Sequence, residues 1–178
     1  MATMNGRNRM LLSLDAHLVA TLVEEDDALV KARESGRLTT MPTAEVAPNQ
    51  GKLLALLAQV ASATRVLEFG TLAGYRTIWL ARAVGTGAYD FVFIDADKPS
   101  NPEYLRAALK LSHPGSVIVI DNVVRNGTVI DADSQDERVR GVRAALDDIA
   151  KDPRLEATSL QTVGLKGWDG FTLIRRAG

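Results

Sequence analysis

The sequence predicts a mostly parallel, doubly wound α/β sheet of the Rossmann-like kind, with helices on both faces and an antiparallel C-terminal edge. Three observations carry this. Phe91-Val92-Phe93-Ile94 and Val117-Ile118-Val119-Ile120 are unbroken apolar runs of strand length, the pattern of strands buried on both faces. Stretches with helical spacing of apolar residues lie between the strand-like runs. Residues 155–160 and 171–174 then follow one another with only a loop between them, as a terminal hairpin does.

In chain order, Leu11, Leu14, Leu18, Leu22, Leu29 and Val30 recur near helical spacing over 11–33, and the acids Glu24 to Asp27 mark a break between two helices. Gly36 ends that segment, and 37–47 is a loop containing Met41-Pro42. A helix over about 50–61 follows, with Leu53, Leu54, Leu57 and Val60 on its buried side. Arg65 to Phe69 is a strand, Gly70 to Gly74 a tight loop, and Tyr75 to Val84 a helix. The strand at 91–95, a helix at 101–111, a Pro114-Gly115 turn and a strand at 116–121 come next. A polar loop, 122–134, leads to a helix at about 135–151 whose acidic start suits a helix N-terminus. Gly164 to Gly170 is read as the loop of the hairpin. The organisation is one domain over 1–178: N-terminal helices and a covering loop (1–61), then the sheet core (62–178).

Composition narrows the function. The chain has 178 residues, 46% hydrophobic and 24% charged, with a formal net charge of −1. That balance gives no electrostatic footprint for nucleic acid, and no apolar run approaches a membrane span. The basic, polar N-terminus lacks the apolar core of a signal peptide, so a cytoplasmic location is expected. There is no cysteine, which excludes disulfides, thiolate zinc sites and a cysteine nucleophile. With only His17 and His113 available, a histidine-rich metal site is not expected. His17 reads as a surface or interface residue and His113 as part of a turn.

Both buried runs stop in oxygen-bearing side chains: Asp95-Ala96-Asp97-Lys98 after one, Asp121-Asn122 after the other. The carboxyl edge of an open α/β sheet is where ligands bind. Asp95, Asp121 and Asn122 are hard oxygen donors of the kind Mg²⁺, Mn²⁺ or Ca²⁺ accepts. Lys98 lies close enough to reach a bound substrate, and a lysine beside a dication holds its proton less tightly and can act as a base. Solvated strand caps are the alternative, since Asp and Asn are common after strands. In Val66 to Tyr75, strand, glycine loop and helix follow in order, but the three-glycine dinucleotide fingerprint is absent. Glu68 inside that strand suits a cationic ligand or an amine. A bare strand-to-helix turn is the other reading of this loop. Trp168 is a candidate core residue, pocket wall or dimer contact, and Tyr75 a candidate stacking residue beside the loop.

These motifs together resemble the cation-dependent, S-adenosylmethionine-dependent O-methyltransferases of the catechol and caffeoyl-CoA type, especially small bacterial members. The matching stretches are Pro48 to Leu54, Val66 to Tyr75 with Thr77 to Arg82, Tyr89 to Tyr104, Pro114 to Gly127 and Gln161 to Phe171. The resemblance implies a metal held by Asp95, Asp121 and Asn122, and a catalytic base at Lys98. Met41, Glu68, Gly70, Thr71, Tyr75, Arg76 and Asp95 fall at its cofactor positions, with Glu68 facing the cofactor's amino group. Asp97, Lys98 and Trp168 fall beside its substrate, a phenolic small molecule with vicinal hydroxyls. The implied chemistry is metal-assisted loss of a hydroxyl proton to Lys98 and in-line attack on the sulfonium methyl. A homodimer is implied too, with the N-terminal helix as the contact. The family usually has serine where this chain has Arg76, which adds a positive charge near a sulfonium unless the side chain points away.

Measured against that family, the chain is short after Gly87. Val84-Gly85-Thr86-Gly87 runs straight into Ala88-Tyr89-Asp90-Phe91, where the family has a second strand ending in a ribose-holding acid and further elements. A βαβ unit of ~30 residues or more is missing. Direct joining leads the helix 75–84 back across its own strand, and a left-handed crossover, rare in sheets, follows unless the helix changes faces. Strand 66–69 becomes an open edge. Three readings stay open. Further residues stand between Gly87 and Ala88, holding them further apart than the ~3.8 Å of a trans peptide. Or the shortened chain folds as a remnant that keeps the metal site and dimer surface without binding cofactor. Or the edge is rebuilt against a second subunit. The rarity of left-handed crossovers favours the first. An NAD-dependent dehydrogenase on a similar sheet is the weakest alternative, because the fingerprint is missing.

Overall fold

The structure, a computed structural model, describes residues 6–36, 46–71, 75–83, 89–164 and 167–177. The Gly87–Ala88 junction and Met41 lie outside the described residues, so expectations placed on them stay there.

Five strands form one sheet in the order β1-β2-β3-β5-β4, where β1 is Arg65–Phe69, β2 Tyr89–Ile94, β3 Val117–Asp121, β4 Leu155–Gly164 and β5 Gly167–Arg176. β1, β2 and β3 are parallel, and β5 and β4 close the sheet antiparallel to them. The predicted class therefore holds. The helices are α1 (Gly6–Leu22), α2 (Asp27–Gly36), α3 (Pro48–Val60), α4 (Tyr75–Ala83), α5 (Asn101–Leu111) and α6 (Glu137–Lys151). The acidic run does separate α1 from α2. The hairpin loop is shorter than expected: β4 runs to Gly164 and β5 begins at Gly167, which places Trp168, Asp169 and Gly170 on a strand. The polar loop after β3 contains a 3-10 segment, Arg125–Ile130.

Alternating side chains of the central strands feed two cores. Phe91, Phe93 and Val119 pack with Leu54 and Ala58 of α3 and Leu80 of α4. Val92, Ile94, Ile118 and Ile120 pack with Leu105 and Ala108 of α5 and Val142 and Ile149 of α6. All four residues Phe91 to Ile94 are fully buried, which is why the run carries no polar alternation. On α3 the buried residues are Gly51, Leu54, Ala55 and Ala58. Leu53 and Val60, expected on the buried side, are exposed, Val60 by 84%. Glycine and alanine line the buried side instead because α3 lies close on α4: a Cβ on Gly51 would stand 2.6 Å from the Trp79 ring.

The two cores fix the handedness of the connections. β1, β2 and β3 advance across the sheet in one direction, yet α4 covers one face and α5 the other. Two consecutive crossovers that move the same way over opposite faces have opposite hands, so one of them is left-handed, against the usual rule. Helix α4 has not changed faces to avoid this. Among the described residues β1 pairs only with β2, so it is the edge strand the sequence leads one to expect.

At the amino end of the strands Asp90 ties three segments together. Its carboxylate accepts from the Thr64 backbone N–H (2.8 Å), from Thr64 Oγ1 (2.9 Å) and from His113 Nε2 (2.7 Å). Burial pushes Asp90 up, but these hydrogen bonds outweigh it and hold its pKa at about 2. His113 is in the turn before β3, as expected, and its pKa is raised by the Pro114 carbonyl and by Asp90.

Candidate functional site

The opposite, carboxyl end of the sheet holds a cavity of about 1130 Å³. Its walls include Gly70, Arg76, Asp95, Asp97, Lys98, Asp121 and Asn122, with Gln50 from α3 and Asp169 from β5. Residues from the carboxyl ends of three adjacent strands, from β5 and from two helices thus meet in one place.

The β1 side begins with the pleat. Leu67 and Phe69 face the α5/α6 core, Val66 faces α3 and α4, and Glu68 therefore lies under the first turn of α4. Thr77 Oγ1 donates to one Glu68 oxygen and Arg76 Nε to the other at 2.7 Å. Just beyond, Gly70 has φ +91°, and a Cβ there would stand 2.6 Å from the Asp95 carbonyl oxygen. Only glycine fits where the exit of β1 crosses the exit of β2. The Asp95 N–H donates to the Phe69 carbonyl (2.9 Å), which fixes the two exits to each other.

Asp95 is the hub. Arg76 donates from one terminal nitrogen to Oδ2 (2.7 Å), and Lys98 Nζ donates to Oδ1 (2.6 Å). Lys98 is buried, and its backbone lies against Gly141 of α6. Asp97 caps the 3-10 turn Lys98–Ser100 by accepting from the Ser100 N–H (3.3 Å), and it also accepts from the Tyr104 hydroxyl. From β3, Asp121 accepts from Gln50 Nε2 (2.7 Å) on Oδ2 and from the Asn122 N–H (2.8 Å) on Oδ1. Asn122 has φ +56°, a left-handed conformation that asparagine tolerates better than most residues.

Burial, and then the negative charge of Asp95, push the Asp121 pKa up to about 7. A carboxylate in that setting is stabilised by a proton or by a cation. Two carboxylates and an amide are a donor chemistry that fits a hard dication. Asp95 already accepts one hydrogen bond on each oxygen, from Arg76 and from Lys98, so a metal there would share its remaining lone pairs with the chain's own cations. Among the described residues, no group of three or more His, Asp or Glu comes together as a metal shell. The third donor of this set is the amide of Asn122.

Of the other residues singled out from the sequence, Thr71 is exposed beside Gly70. Tyr75 is fully buried with Leu29, Ala55 and Trp79, donates its hydroxyl to Glu25 (2.8 Å) and does not line the cavity. Trp168 is 41% exposed on β5; its Nε1 donates to Gln161 (2.9 Å) and its ring covers Gly127. Arg76 does not point away from the site. It points into it, 2% exposed, with its guanidinium over the Phe93 ring.

Two residues escaped the sequence reading. Gln50 sits in the Pro48-Asn49-Gln50-Gly51 start of α3, and no local rule shows that this helix end reaches Asp121. Asp169 Oδ1 accepts from the N–H groups of Val124 (3.1 Å), Arg125 (2.9 Å) and Gly170 (3.0 Å), and so fastens the loop after Asn122 to β5. An acid read as part of a hairpin loop carries no signal of that role.

Known proteins carry the same architecture. A family described as O-methyltransferase matches residues 19–86 and again 80–177, two pieces that meet at the end of α4. A catechol O-methyltransferase of Niastella koreensis is 37% identical over 215 positions, covering 93% of this chain and 97% of the relative. With 178 residues here, at least 37 of those positions face no residue of this chain. A catechol O-methyltransferase of Mycobacterium tuberculosis is 37% identical, with 90% and 93% covered. Among solved structures, the O-methyltransferase TomG of Streptomyces achromogenes, in complex with SAM, matches with a TM-score of 0.93, 38% identity and 98% and 100% coverage. An O-methyltransferase of Bacillus cereus in complex with SAH matches at 0.91, with 37% identity and 95% and 99% coverage. With its fold, its strand-end cavity and matches over nearly its whole length, this chain belongs to the O-methyltransferase family.

Proposed function

We propose that the protein transfers a methyl group from S-adenosylmethionine to a hydroxyl of a catechol-like, vicinal-dihydroxy aromatic, with a divalent cation, Mg²⁺ for choice, as the second cofactor. The observation that carries this reading is the meeting of Asp95, Lys98, Asp121 and Asn122 in one cavity beside Glu68 and Gly70. The names of the two curated relatives support the substrate class, and the SAM- and SAH-bound neighbours support the donor.

The methyl donor supplies an electrophilic methyl on a sulfonium. The dication supplies Lewis acidity that makes a phenolic hydroxyl easier to ionise. Asp95, Asp121 and Asn122 hold the cation, with Gln50 steering the Asp121 carboxylate. Lys98, held beside Asp95 at the end of β2, would act as the base only as the neutral amine, which takes the hydroxyl proton and becomes the ammonium. Glu68 and the Gly70 carbonyl face the cationic amino end of the donor. Trp168 and the 122–134 loop form the aromatic substrate's wall. Positioning two reactants in one cavity provides most of the rate. The protein is cytoplasmic in this reading and works as a homodimer; an exposed apolar stripe on α1, Leu14, Leu18 and Leu22, supports the dimer.

The domain reading goes with it: one domain in which a strand-helix-strand unit of the relatives is absent after residue 87. The two-piece family match and the opposite-handed crossovers support that placement. The test is methyl transfer to catechol with and without EDTA, in the wild type and in Asp121→Ala. The reading requires EDTA-sensitive activity and a loss of at least ~10²-fold in the variant. Activity indifferent to both removes the metal from the mechanism.

A further inference from the structure

Among the described residues at the carboxyl ends of β1 and β2, the Glu68 and Asp95 carboxylate oxygens and the Gly70 carbonyl all accept hydrogen bonds from the chain itself, and one side chain accounts for most of them. Arg76 donates from Nε to Glu68 (2.7 Å), from one terminal nitrogen to Asp95 (2.7 Å) and from the other to the Gly70 carbonyl. Thr77 occupies the second Glu68 oxygen and Lys98 the second Asp95 oxygen. The Arg76 side chain is 2% exposed and those of Glu68 and Asp95 are 9% and 11% exposed, and the guanidinium carbon lies over the Phe93 ring, 4.9 Å from its centroid. A placement that divides one cation's donors among three acceptors while lying over an aromatic ring is particular to arginine.

Glu68 and the Gly70 carbonyl are what an incoming ammonium group needs: one negative charge and one lone pair, close together. The guanidinium holds both. It also carries the same charge as that ammonium and as a sulfonium. A buried carboxylate cannot be left without a cation, so whichever cation leaves, another must enter.

We propose that Arg76 is the resident cation of this cradle and competes with the ammonium end of the methyl donor, so that donor binding requires the guanidinium to give up Glu68 and Gly70. Arg76 thereby sets how strongly the chain discriminates ligands that carry an amino-acid end from those that do not. This rests on the methyl-donor reading above.

Calorimetric titration with S-adenosylhomocysteine and with 5′-methylthioadenosine, the same nucleoside thioether without the amino-acid end, tests it. In Arg76→Met the affinity for S-adenosylhomocysteine should rise at least tenfold relative to wild type, while that for 5′-methylthioadenosine stays within about threefold. A fall in S-adenosylhomocysteine affinity, or equal changes for both ligands, overturns the proposal. If Arg76→Met does not fold, wild type decides through the ¹⁵N resonance of Arg76 Nε. Saturation with S-adenosylhomocysteine should shift it and speed its proton exchange, and 5′-methylthioadenosine should leave it in place. An unmoved resonance at saturation overturns the proposal with donor binding intact. Absence of binding by both ligands in both proteins overturns the donor reading, and this proposal with it.

Discussion

Gly141→Ala is the perturbation that best connects packing to the site. Gly141 lies in the second turn of α6, and a Cβ there would stand 2.2 Å from the Lys98 carbonyl oxygen and 2.6 Å from Pro99 Cα. Both neighbours are backbone, so no side-chain rotation relieves the clash. Ordinary contact begins at 3.4 Å, so α6 and the Lys98–Ser100 turn must separate by about 1.2 Å. Overpacking of this kind costs about 1–3 kcal/mol, and backbone neighbours put it at the upper end. Alanine returns about 1 kcal/mol through helix propensity. The net loss is about 2 kcal/mol, or a fall in Tm of about 4–8 °C for a domain of this size. The displaced turn begins with Lys98, so the amine moves relative to Asp95 and, in the proposed mechanism, relative to the substrate. A 1 Å misplacement costs about 10²-fold in rate. Thermal denaturation and initial rates of catechol methylation measure the two effects on one preparation. A variant within about 1 °C of wild type and fully active would show that α6 is not seated on this turn and that the turn does not position Lys98.

Three further outcomes follow from the same coordinates. Asp90→Ala should lose about 1–3 kcal/mol by freeing Thr64 and His113. Asp90 has a folded pKa of about 2, below its unfolded value, so its contribution is present above pH ~4 and fades as pH falls toward 2. His113 has a raised pKa, so its contribution is full below pH ~6.5 and fades as pH rises through the folded value. Urea midpoints should therefore separate wild type from Asp90→Ala more at pH 5 than at pH 8, and an equal gap at both would remove His113 from the account. Gly70→Ala should destabilise the chain by about 1–3 kcal/mol, from a positive φ and a 2.6 Å approach to Asp95, and chemical denaturation reads it directly. Leu14→Lys with Leu18→Lys should convert a dimer to a monomer in light scattering after size exclusion, and a mass equal to that of wild type would place the subunit contact elsewhere.

Much of the architecture is local in origin, and the chain alone determines it. The runs 91–94 and 117–120 are apolar at every position because both faces of a central strand are covered, and that pattern can be read without coordinates. The same runs stop at Asp95 and at Asp121-Asn122, so the strand ends, the carboxyl edge and the oxygen donors were all legible, as were Lys98 and the glycine at the exit of β1. What tertiary structure decided is where long side chains and distant segments come together. Arg76 reads as a helix residue that ought to avoid a cationic ligand; only the fall of α4 onto Glu68, with Asp95 from the next strand alongside, makes a buried guanidinium acceptable there. Gln50 reaches Asp121 across 71 residues of sequence, and Asp169 fastens a loop 44 to 45 residues before it, relations that no periodicity encodes. The exposed Leu53 and Val60 were misread because helical spacing gives a stripe but not its partner: α4 approaches α3 over Gly51 and Ala55, and close helix contact selects small residues over large ones. The placement of α4 and α5 on opposite faces is likewise a matter of which core each helix can fill, and local sequence is blind to the hand that results.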